Sequence, residues 1–254
     1  MSLLRLIARL DIKGQNVVKG IQFEGLRVVG NPQALATKYA QEGADEILYI
    51  DTVASLYGRN QLTQLLEQTT EEVFIPVTVG RGAKSRADVQ RLLRAGADKV
   101  AINTAALERP ELIDEIASFY GSQAIVCSIE AKRRGSGWEA YKNNGRDPSG
   151  KCAISWASEA VERGAGEILI TSIDQDGTRQ GFDIGLVKEV SGLRVPVTAS
   201  GGMGTLQHLK AVLEEGKADA VAMASVLHYG RLRFDDMRKA VDDRRTRILA
   251  PAHS

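Results

Sequence analysis

Two acidic residues stand at matching places in the two halves of the sequence and are the strongest candidates for catalysis. Asp11 follows the apolar run at 6–8, and Glu130 follows the apolar run at 126–129. Each run is typical of a buried strand that carries a carboxylate to its carboxyl end. Carboxylates on two sides of a bound substrate are the arrangement that paired general acid and base catalysis requires. The alternative for either residue alone is that it caps a neighbouring helix.

Two glycine-containing segments that follow predicted strands are candidate phosphate sites. Residues 80–82 with 103–104 form one, and residues 200–202 with 224–225 form the other. Small residues ahead of a helix let backbone N–H groups approach phosphate oxygens, and the helix dipole favours the anion. One such segment is more often only a tight turn. Two at symmetric positions predict a substrate that is phosphorylated at both ends and lies across the site.

Three further segments of the first half recur in the second half, at nearly the same offset as the two acids. The pairs are 43–48 with 164–169, 75–80 with 195–200, and 97–102 with 218–223. A repeat of this length is far longer than a solenoid repeat. It predicts two fused half-domains, roughly 1–121 and 122–254.

The elements that position these residues alternate between strands and helices. The strands are nearly continuous in apolar residues, which is typical of a parallel sheet covered on both faces. Eight such units predict a closed (β/α)8 barrel that forms a single domain over 1–254, with its functional face at the carboxyl ends of the strands. A strand is expected at 73–79 and a helix from Pro110. Only the segment 132–150 departs from the alternation, and it predicts a hairpin around 138–141.

Composition excludes several classes of function. The 254 residues are 43% hydrophobic and 26% charged with a net charge of +1, as in an ordinary soluble protein without a nucleic-acid-binding field. We see no signal peptide and no membrane span, and expect a cytoplasmic protein. Cys127 and Cys152 are interpreted as buried thiols, and His208, His228 and His253 as surface or structural residues. No metal site and no cofactor are expected.

Over essentially its whole length the sequence resembles the cyclase subunits of imidazole glycerol phosphate synthase, a duplicated (β/α)8 family of histidine biosynthesis. The resemblance is carried by residues 10–13, 18–20, 43–46, 97–100, 102–106, 164–172, 174, 176–178 and 200–202. It implies that ammonia from a partner glutaminase adds to a bis-phosphorylated ribulosyl aminoimidazole carboxamide intermediate. Ring closure and carbon–nitrogen cleavage then give imidazole glycerol phosphate and an aminoimidazole carboxamide ribotide.

The resemblance also implies roles for individual residues and a one-to-one pairing with the glutaminase. The implied general acid and base are Asp11 and Glu130. An ammonia gate of charged residues at the amino-terminal end of the barrel would comprise Arg5, Glu46, Lys99 and Glu167. Substrate positioning would fall on Lys19, Asp51, Thr171 and Ser200. Phosphate binding would fall on Gly82, Asn103, Thr104, Asp176, Gly177, Gly201, Gly202, Ala224 and Ser225.

The sequence departs from the family pattern around the acids and one phosphate site. Glu130 stands where the family has aspartate, and a shift of about one bond length can cost roughly a hundredfold in rate. Arg9 stands where a cysteine is usual, and it could pair with a carboxylate and lower its pKa. Arg81 interrupts a glycine run, and the pair 14–15 replaces an acidic residue followed by glycine.

These departures leave two functions under consideration. One is a cyclase that tolerates glutamate. The other is a relative that delivers ammonia with a glutaminase and a separate amidotransferase, to form amidines on surface-polysaccharide sugars. A sister isomerase of the same pathway is also a duplicated barrel with two phosphate sites, but it handles no ammonia and needs no charged gate.

Overall fold

The computed structural model of the chain describes residues 4–52, 56–80 and 82–249. Arg81 and His253, which the sequence analysis considered, lie outside the described residues.

The described part of the chain alternates strands with helices. The strands are β1 (Arg5–Lys13), β2 (Asn16–Ile21), β3 (Glu24–Gly30), β4 (Glu46–Asp51), β5 (Val77–Gly80), β6 (Lys99–Ile102), β7 (Ile125–Arg134), β8 (Gly137–Lys142), β9 (Asp147–Cys152), β10 (Glu167–Ser172), β11 (Val197–Ser200) and β12 (Ala220–Met223). The α-helices are α1 (Pro32–Gln41), α2 (Leu56–Glu72), α3 (Arg86–Arg94), α4 (Thr104–Glu108), α5 (Glu111–Tyr120), α6 (Ala153–Glu162), α7 (Ile184–Val190), α8 (Leu206–Glu214), α9 (Ser225–His228) and α10 (Phe234–Leu249), and a 3-10 turn spans Ser122–Ala124.

Eight of these strands form a closed parallel barrel. Around the barrel the order is β1, β4, β5, β6, β7, β10, β11 and β12, and β12 pairs with β1 to close it. The predicted (β/α)8 fold is therefore confirmed. Since β7 is the fifth strand counted from β1, the two strands that carry the candidate acids face each other across the barrel.

Two antiparallel ribbons extend the barrel beyond its carboxyl-terminal edge, where the sequence analysis expected one. β8 and β9 continue from β7, which confirms the hairpin predicted within 132–150. β2 and β3 continue from β1 in the same way, so the expectation of a single departure is wrong. Much of β3 is solvent-exposed, and it therefore lacks the apolar alternation that identifies a strand in a sequence. The order of elements is the same in the two halves.

Smaller differences from the sequence analysis concern element ends and one cysteine. The strand predicted at 73–79 begins only at Val77, and the helix predicted from Pro110 follows a separate short helix, α4. Cys127 is buried, but Cys152 is exposed at the N-cap of α6, so the expectation that both thiols are buried is wrong for Cys152.

Helix caps fix the places where the chain leaves the carboxyl-terminal edge. The Ser85 hydroxyl accepts a hydrogen bond from the backbone N–H of Asp88 at the start of α3. The Thr205 hydroxyl accepts from His208 in the same way at the start of α8. Each cap satisfies a backbone donor that would otherwise have no partner in the helix.

Two apolar clusters are separated by the barrel wall. The larger one lies between strands and helices. The smaller one fills the lumen and comprises Ile7, Leu48, Ile50, Ala101, Val126, Leu169, Ala220 and Ala222. Because side chains of a strand alternate between its two faces, the lumen face of β1 carries Arg5, Ile7, Arg9 and Asp11 in order from the amino-terminal end to the mouth.

Candidate active site

Four charged side chains meet at the amino-terminal end of the lumen, and we call Arg5, Glu46, Lys99 and Glu167 the gate cluster. Arg5 donates to Glu46 Oε2 at 2.9 Å and to Glu167 Oε1 at 2.8 Å. Lys99 Nζ donates to Glu46 Oε2 at 3.0 Å and to Glu167 Oε2 at 2.8 Å. Each cation therefore bridges both carboxylates, and the cluster forms a closed ring of alternating charge across the lumen.

The carboxylates of the gate cluster are buried and accept further hydrogen bonds from two hydroxyls. Thr78 Oγ1 donates to Glu46 at 2.5 Å, and Thr198 Oγ1 donates to Glu167 at 2.6 Å. Burial alone would raise the pKa of Glu167, but the Arg5 hydrogen bond and the charges of Lys99 and Arg5 outweigh it and lower that pKa. Glu167 is therefore ionised at neutral pH. The sequence analysis did not single out the two threonines, although both lie in the repeated segments 75–80 and 195–200.

Above the gate cluster the lumen is apolar and then opens into a small polar cavity, which we call the lumen cavity. Its lining residues are Arg9, Ile50, Gly80, Ala101, Asn103, Ser128, Glu130, Leu169 and Thr171. Asn103 is buried, and neither its Oδ1 nor its Nδ2 has a hydrogen-bond partner among the residues that the structure describes. A polar side chain in that state is suited to a ligand or to water, because an unsatisfied buried amide is costly.

A second charged group lies at the carboxyl-terminal end of the lumen, and we call Arg9, Asp11, Lys19 and Asp176 the mouth cluster. Arg9 Nε donates to Asp11 Oδ1 at 2.8 Å. Lys19 Nζ donates to Asp176 Oδ2 at 2.7 Å and lies 3.7 Å from Asp11 Oδ2. All four residues are buried. Burial would raise the pKa of Asp11, but the charges of Arg9 and Lys19 and the Arg9 hydrogen bond lower it.

Glu130 lies on the opposite wall and is held by the second ribbon. It is buried, and its Oε2 accepts a hydrogen bond from the backbone N–H of Gly145 at 2.8 Å. Gly145 belongs to the turn between β8 and β9, where Asn143 and Asn144 also have positive φ. The sequence analysis predicted a hairpin here but did not predict that its turn contacts the second acid.

The predicted phosphate residues of the second half line one cavity, which we call the cradle cavity. Its lining residues are Arg9, Lys19, Asp176, Gly177, Ser200, Gly201, Gly202, Met203, Ala222, Met223, Ala224 and Ser225. Gly202 has a φ of +101°, and a Cβ added there would lie 1.9 Å from the Gly181 carbonyl oxygen. Only glycine fits at this position, because the loop at Gly181 packs directly against it.

The predicted phosphate residues of the first half are arranged differently. Asn103 lines the lumen cavity, Gly82 has a φ of +101°, and Thr104 Oγ1 accepts from the backbone N–H of Asn143 at 3.0 Å. Asp51 is buried at the carboxyl end of β4, beside the end of β1.

One histidine lies near the mouth cluster. Tyr39 Oη and His228 Nδ1 are 2.9 Å apart, and burial lowers the pKa of His228 to about 4. The imidazole is therefore neutral at pH 7, which agrees with the structural role expected for it.

Two further points concern metal binding and membrane insertion in residues 4–52, 56–80 and 82–249. In that part of the chain no cluster of three or more His, Cys, Asp or Glu side chains could hold a metal ion. None of the helices described is long and apolar enough to cross a membrane.

Comparison with known proteins gives one family. Residues 5–233 match the family described as histidine biosynthesis protein. The chain is 59% identical over 209 residues to imidazole glycerol phosphate synthase subunit HisF of Legionella pneumophila. The aligned residues are 82% of this chain and 99% of that protein. The chain is 51% identical over 227 residues to the subunit of the same name from Myxococcus xanthus (strain DK1622). Here the aligned residues are 89% of this chain and 90% of that protein.

Proposed function

Since the chain belongs to the histidine biosynthesis protein family, we propose that it is the cyclase subunit of an imidazole glycerol phosphate synthase. In this reaction, ammonia adds to a bis-phosphorylated ribulosyl aminoimidazole carboxamide intermediate. The products are imidazole glycerol phosphate and an aminoimidazole carboxamide ribotide. The names of the relatives favour this function over the ammonia-delivery alternative.

The observation that carries the proposal is the order of layers along the lumen. A charged ring closes the amino-terminal end, an apolar layer follows, and two buried carboxylates face each other at the mouth. This order suits a path for a small neutral molecule from an ammonia source to an acid–base pair. Asp11 and Glu130 are the proposed general acid and base.

The gate cluster is the proposed entry for ammonia. Its carboxylates and cations neutralise each other, so the ring can close the lumen without leaving a buried charge unpaired. Lys99 is the more flexible cation and has no planar fork to hold it in place. We therefore infer that a swing of the Lys99 side chain opens the path.

The phosphate-binding roles are proposals of the same kind. The cradle cavity supports binding of one phosphate through the backbone of Gly177, Gly201, Gly202, Ala224 and Ser225, with Asp176 beside it. Gly82, Asn103 and Thr104 would hold the other phosphate on the opposite side. Between the two, substrate positioning would fall on Lys19, Asp51, Thr171 and Ser200, which are all buried at the carboxyl-terminal end of the lumen.

The proposed partner is a glutaminase subunit bound one to one at the amino-terminal end. Phe74 is 90% exposed just ahead of β5, and Phe119 is 60% exposed near the end of α5, so both belong to that end of the barrel. We expect Phe74→Asp to weaken glutaminase binding at least tenfold and to leave turnover with ammonium salt unchanged. Light scattering of the mixed subunits would test the stoichiometry.

Turnover of the bis-phosphorylated intermediate by the purified chain with ammonium salt tests the proposal directly, because ammonium bypasses the glutaminase. We expect turnover by the unmodified chain and its collapse in Asp11→Asn. If the unmodified chain shows no turnover but Glu130→Asp does, the site is a cyclase site that has lost this reaction through the change to glutamate. No turnover in either protein would contradict the proposal and favour ammonia delivery to another acceptor.

A further inference from the structure

Arg9 is a buried cation to which the proposed function assigns no role. It lies on the lumen face of β1, between the apolar layer and Asp11, and its side chain is 4% exposed. It lines both the lumen cavity and the cradle cavity. A guanidinium in this position is costly to bury unless its charge is paired and its donors are satisfied.

The contacts of Arg9 fix its guanidinium against three strands. Nε donates to Asp11 Oδ1 on its own strand at 2.8 Å. Nη1 donates to Thr171 Oγ1 on β10 at 3.2 Å and to Ser200 Oγ on β11 at 3.1 Å. The planar fork of arginine is thus held from both sides, which fixes the carboxylate that it binds.

Arg9 is the principal counter-charge of Asp11. Lys19 lies 3.7 Å from Asp11 Oδ2, beyond hydrogen-bonding distance, while both oxygens of Asp176 accept from Lys19, at 3.0 Å and 2.7 Å. Arg9 therefore makes the close ion pair with Asp11, and Lys19 serves chiefly Asp176. Asp11 Oδ1 is taken by Arg9, and Oδ2 is the oxygen on the Lys19 side.

Other titratable groups face Asp11 from the surrounding elements. Lys19 on β2 and His228 on α9 act on Asp11 itself, and Asp176 after β10 and Glu130 on β7 act on Arg9 beside it. Asp51 lies at the end of β4, the strand that pairs with β1. His228 is neutral at pH 7, because burial lowers its pKa to about 4. Around the ionised Asp11, the cations closest to it are thus Arg9 and Lys19.

We propose that Arg9 is a positioning residue that keeps Asp11 ionised with Oδ1 occupied, so that Asp11 is the proton acceptor of the reaction and Glu130 the proton donor. This inference rests on the proposed function for its chemistry. When ammonia adds to the ketone carbon, a carbon–nitrogen bond forms and the carbonyl π electrons move to oxygen. The excess proton on nitrogen passes to Asp11 Oδ2, and the new alkoxide takes its proton from Glu130.

Kinetics against pH test this assignment with Arg9→Met and Arg9→Lys. The concentration of free ammonia is held constant at each pH, so that the profile reflects the ionisation of enzyme groups and not that of ammonium. In Arg9→Met we expect the acid limb of kcat/KM to move up by about one pH unit or more, because Asp11 has lost its main counter-charge. On the acid limb, below the midpoints of both proteins, kcat should fall about tenfold with little change in KM, because a shift of one pH unit is a tenfold change in the ionised fraction there. Arg9→Lys should recover most of the loss.

A titration without substrate separates this inference from the proposed function. The side-chain carboxyl ¹³C resonance of Asp11 is followed from pH 8 to pH 3 in aspartate-labelled protein and identified by its absence in Asp11→Asn. We expect the midpoint of the Asp11 titration to rise by one pH unit or more in Arg9→Met. In the control Arg5→Met, which removes another cation from the same face of β1, the midpoint should be unchanged. This titration can be interpreted even if the chain does not turn over the bis-phosphorylated intermediate.

Two results would overturn the inference. One is an Asp11 midpoint that is the same in the unmodified chain and in Arg9→Met. The other is an Arg9→Met protein that is less stable in urea but keeps the unmodified pH profile, since a merely structural arginine would behave in that way. If Arg9→Met does not fold, the same comparison is made with Arg9→Lys, in which the midpoint must still move upward, by a smaller amount, because the fork to Thr171 and Ser200 is lost.

Discussion

The two ends of the lumen each hold a cluster of two cations and two carboxylates, and the clusters differ in how they are closed. In the gate cluster each carboxylate accepts from both cations, and each also accepts from a threonine. The mouth cluster is a chain: Arg9 binds Asp11, and Lys19 binds Asp176. The same charges thus form a ring at one end and two adjoining pairs at the other.

This difference suits the gate cluster to closing the lumen and the mouth cluster to proton transfer. In the gate cluster the two carboxylates, Glu46 and Glu167, begin corresponding strands of the two halves. Its symmetry leaves every carboxylate saturated, so no proton transfer is expected there. In the mouth cluster the two carboxylates, Asp11 and Asp176, are not corresponding residues, and Asp11 Oδ2 lies 3.7 Å from Lys19 Nζ, outside hydrogen-bonding distance. One end is therefore suited to a barrier and the other to a base.

The largest expected contrast comes from neutralising one acid in each cluster without changing its shape. Asp11→Asn should lower kcat with ammonium salt by about 10²- to 10⁴-fold, because it removes a general acid–base group. Glu46→Gln, its counterpart at the gate, should leave kcat with ammonium within about threefold and should instead uncouple glutamine hydrolysis from product formation. Steady-state kinetics with the two nitrogen sources measure both effects. Equal losses in the two variants would remove the distinction between the ends.

Removing a gate cation should affect stability more than removing a surface cation. Lys99→Met leaves the buried Glu46 and Glu167 with Arg5 alone, and we expect the free energy of unfolding to fall by about 3 kcal/mol. Lys38→Met is the matched control, because Lys38 pairs with Glu42 on an exposed helix face, with the two side chains 53% and 49% exposed. It should change stability by less than about 0.5 kcal/mol. Urea unfolding measures both, and similar values would mean that the ring contributes no more than a surface pair.

As pH falls, the stability of the protein should respond to His228, near the mouth cluster, before it responds to Glu167 of the gate cluster. Burial lowers the pKa of His228 to about 4 in the folded protein, below its ordinary value of 6.5. The unfolded chain therefore takes up this proton first, and the contribution of His228 is complete above about pH 6.5 and lost as pH falls to about 4, by up to about 3 kcal/mol. The pKa of Glu167 in the gate cluster is lowered, so Glu167 keeps its contribution until more acidic pH. Urea unfolding between pH 7 and pH 4.5 should show a slope that His228→Asn flattens, and an unchanged slope in that variant would contradict the assignment.

The sequence predicted the gate better than the mouth, for a physical reason. The family resemblance placed the four gate residues together, and their contacts follow because charges at the starts of parallel strands meet at one end of a barrel. The contacts of Arg9 with Thr171 and Ser200 depend on which way a long side chain turns within the lumen, and no spacing encodes that. The first ribbon was missed because β3 is largely solvent-exposed, and its packing against β2 is set by tertiary contacts rather than by a buried face.

The smallest effects test whether the gate is as symmetric as its geometry. Thr78→Val removes the hydroxyl that donates to Glu46, and Thr198→Val removes the one that donates to Glu167, at 2.5 Å and 2.6 Å respectively. Both changes keep a β-branched side chain in a strand, and each should cost about 1.5–3 kcal/mol in the free energy of unfolding, as for a hydrogen bond to a charged group. Because the two hydroxyls occupy corresponding places in the two halves, the two losses should agree within about 0.5 kcal/mol. Losses that differ by more than about 1 kcal/mol would mean that Arg5 and Lys99 share the carboxylates unequally, and the ring would then have a weaker side on which ammonia enters.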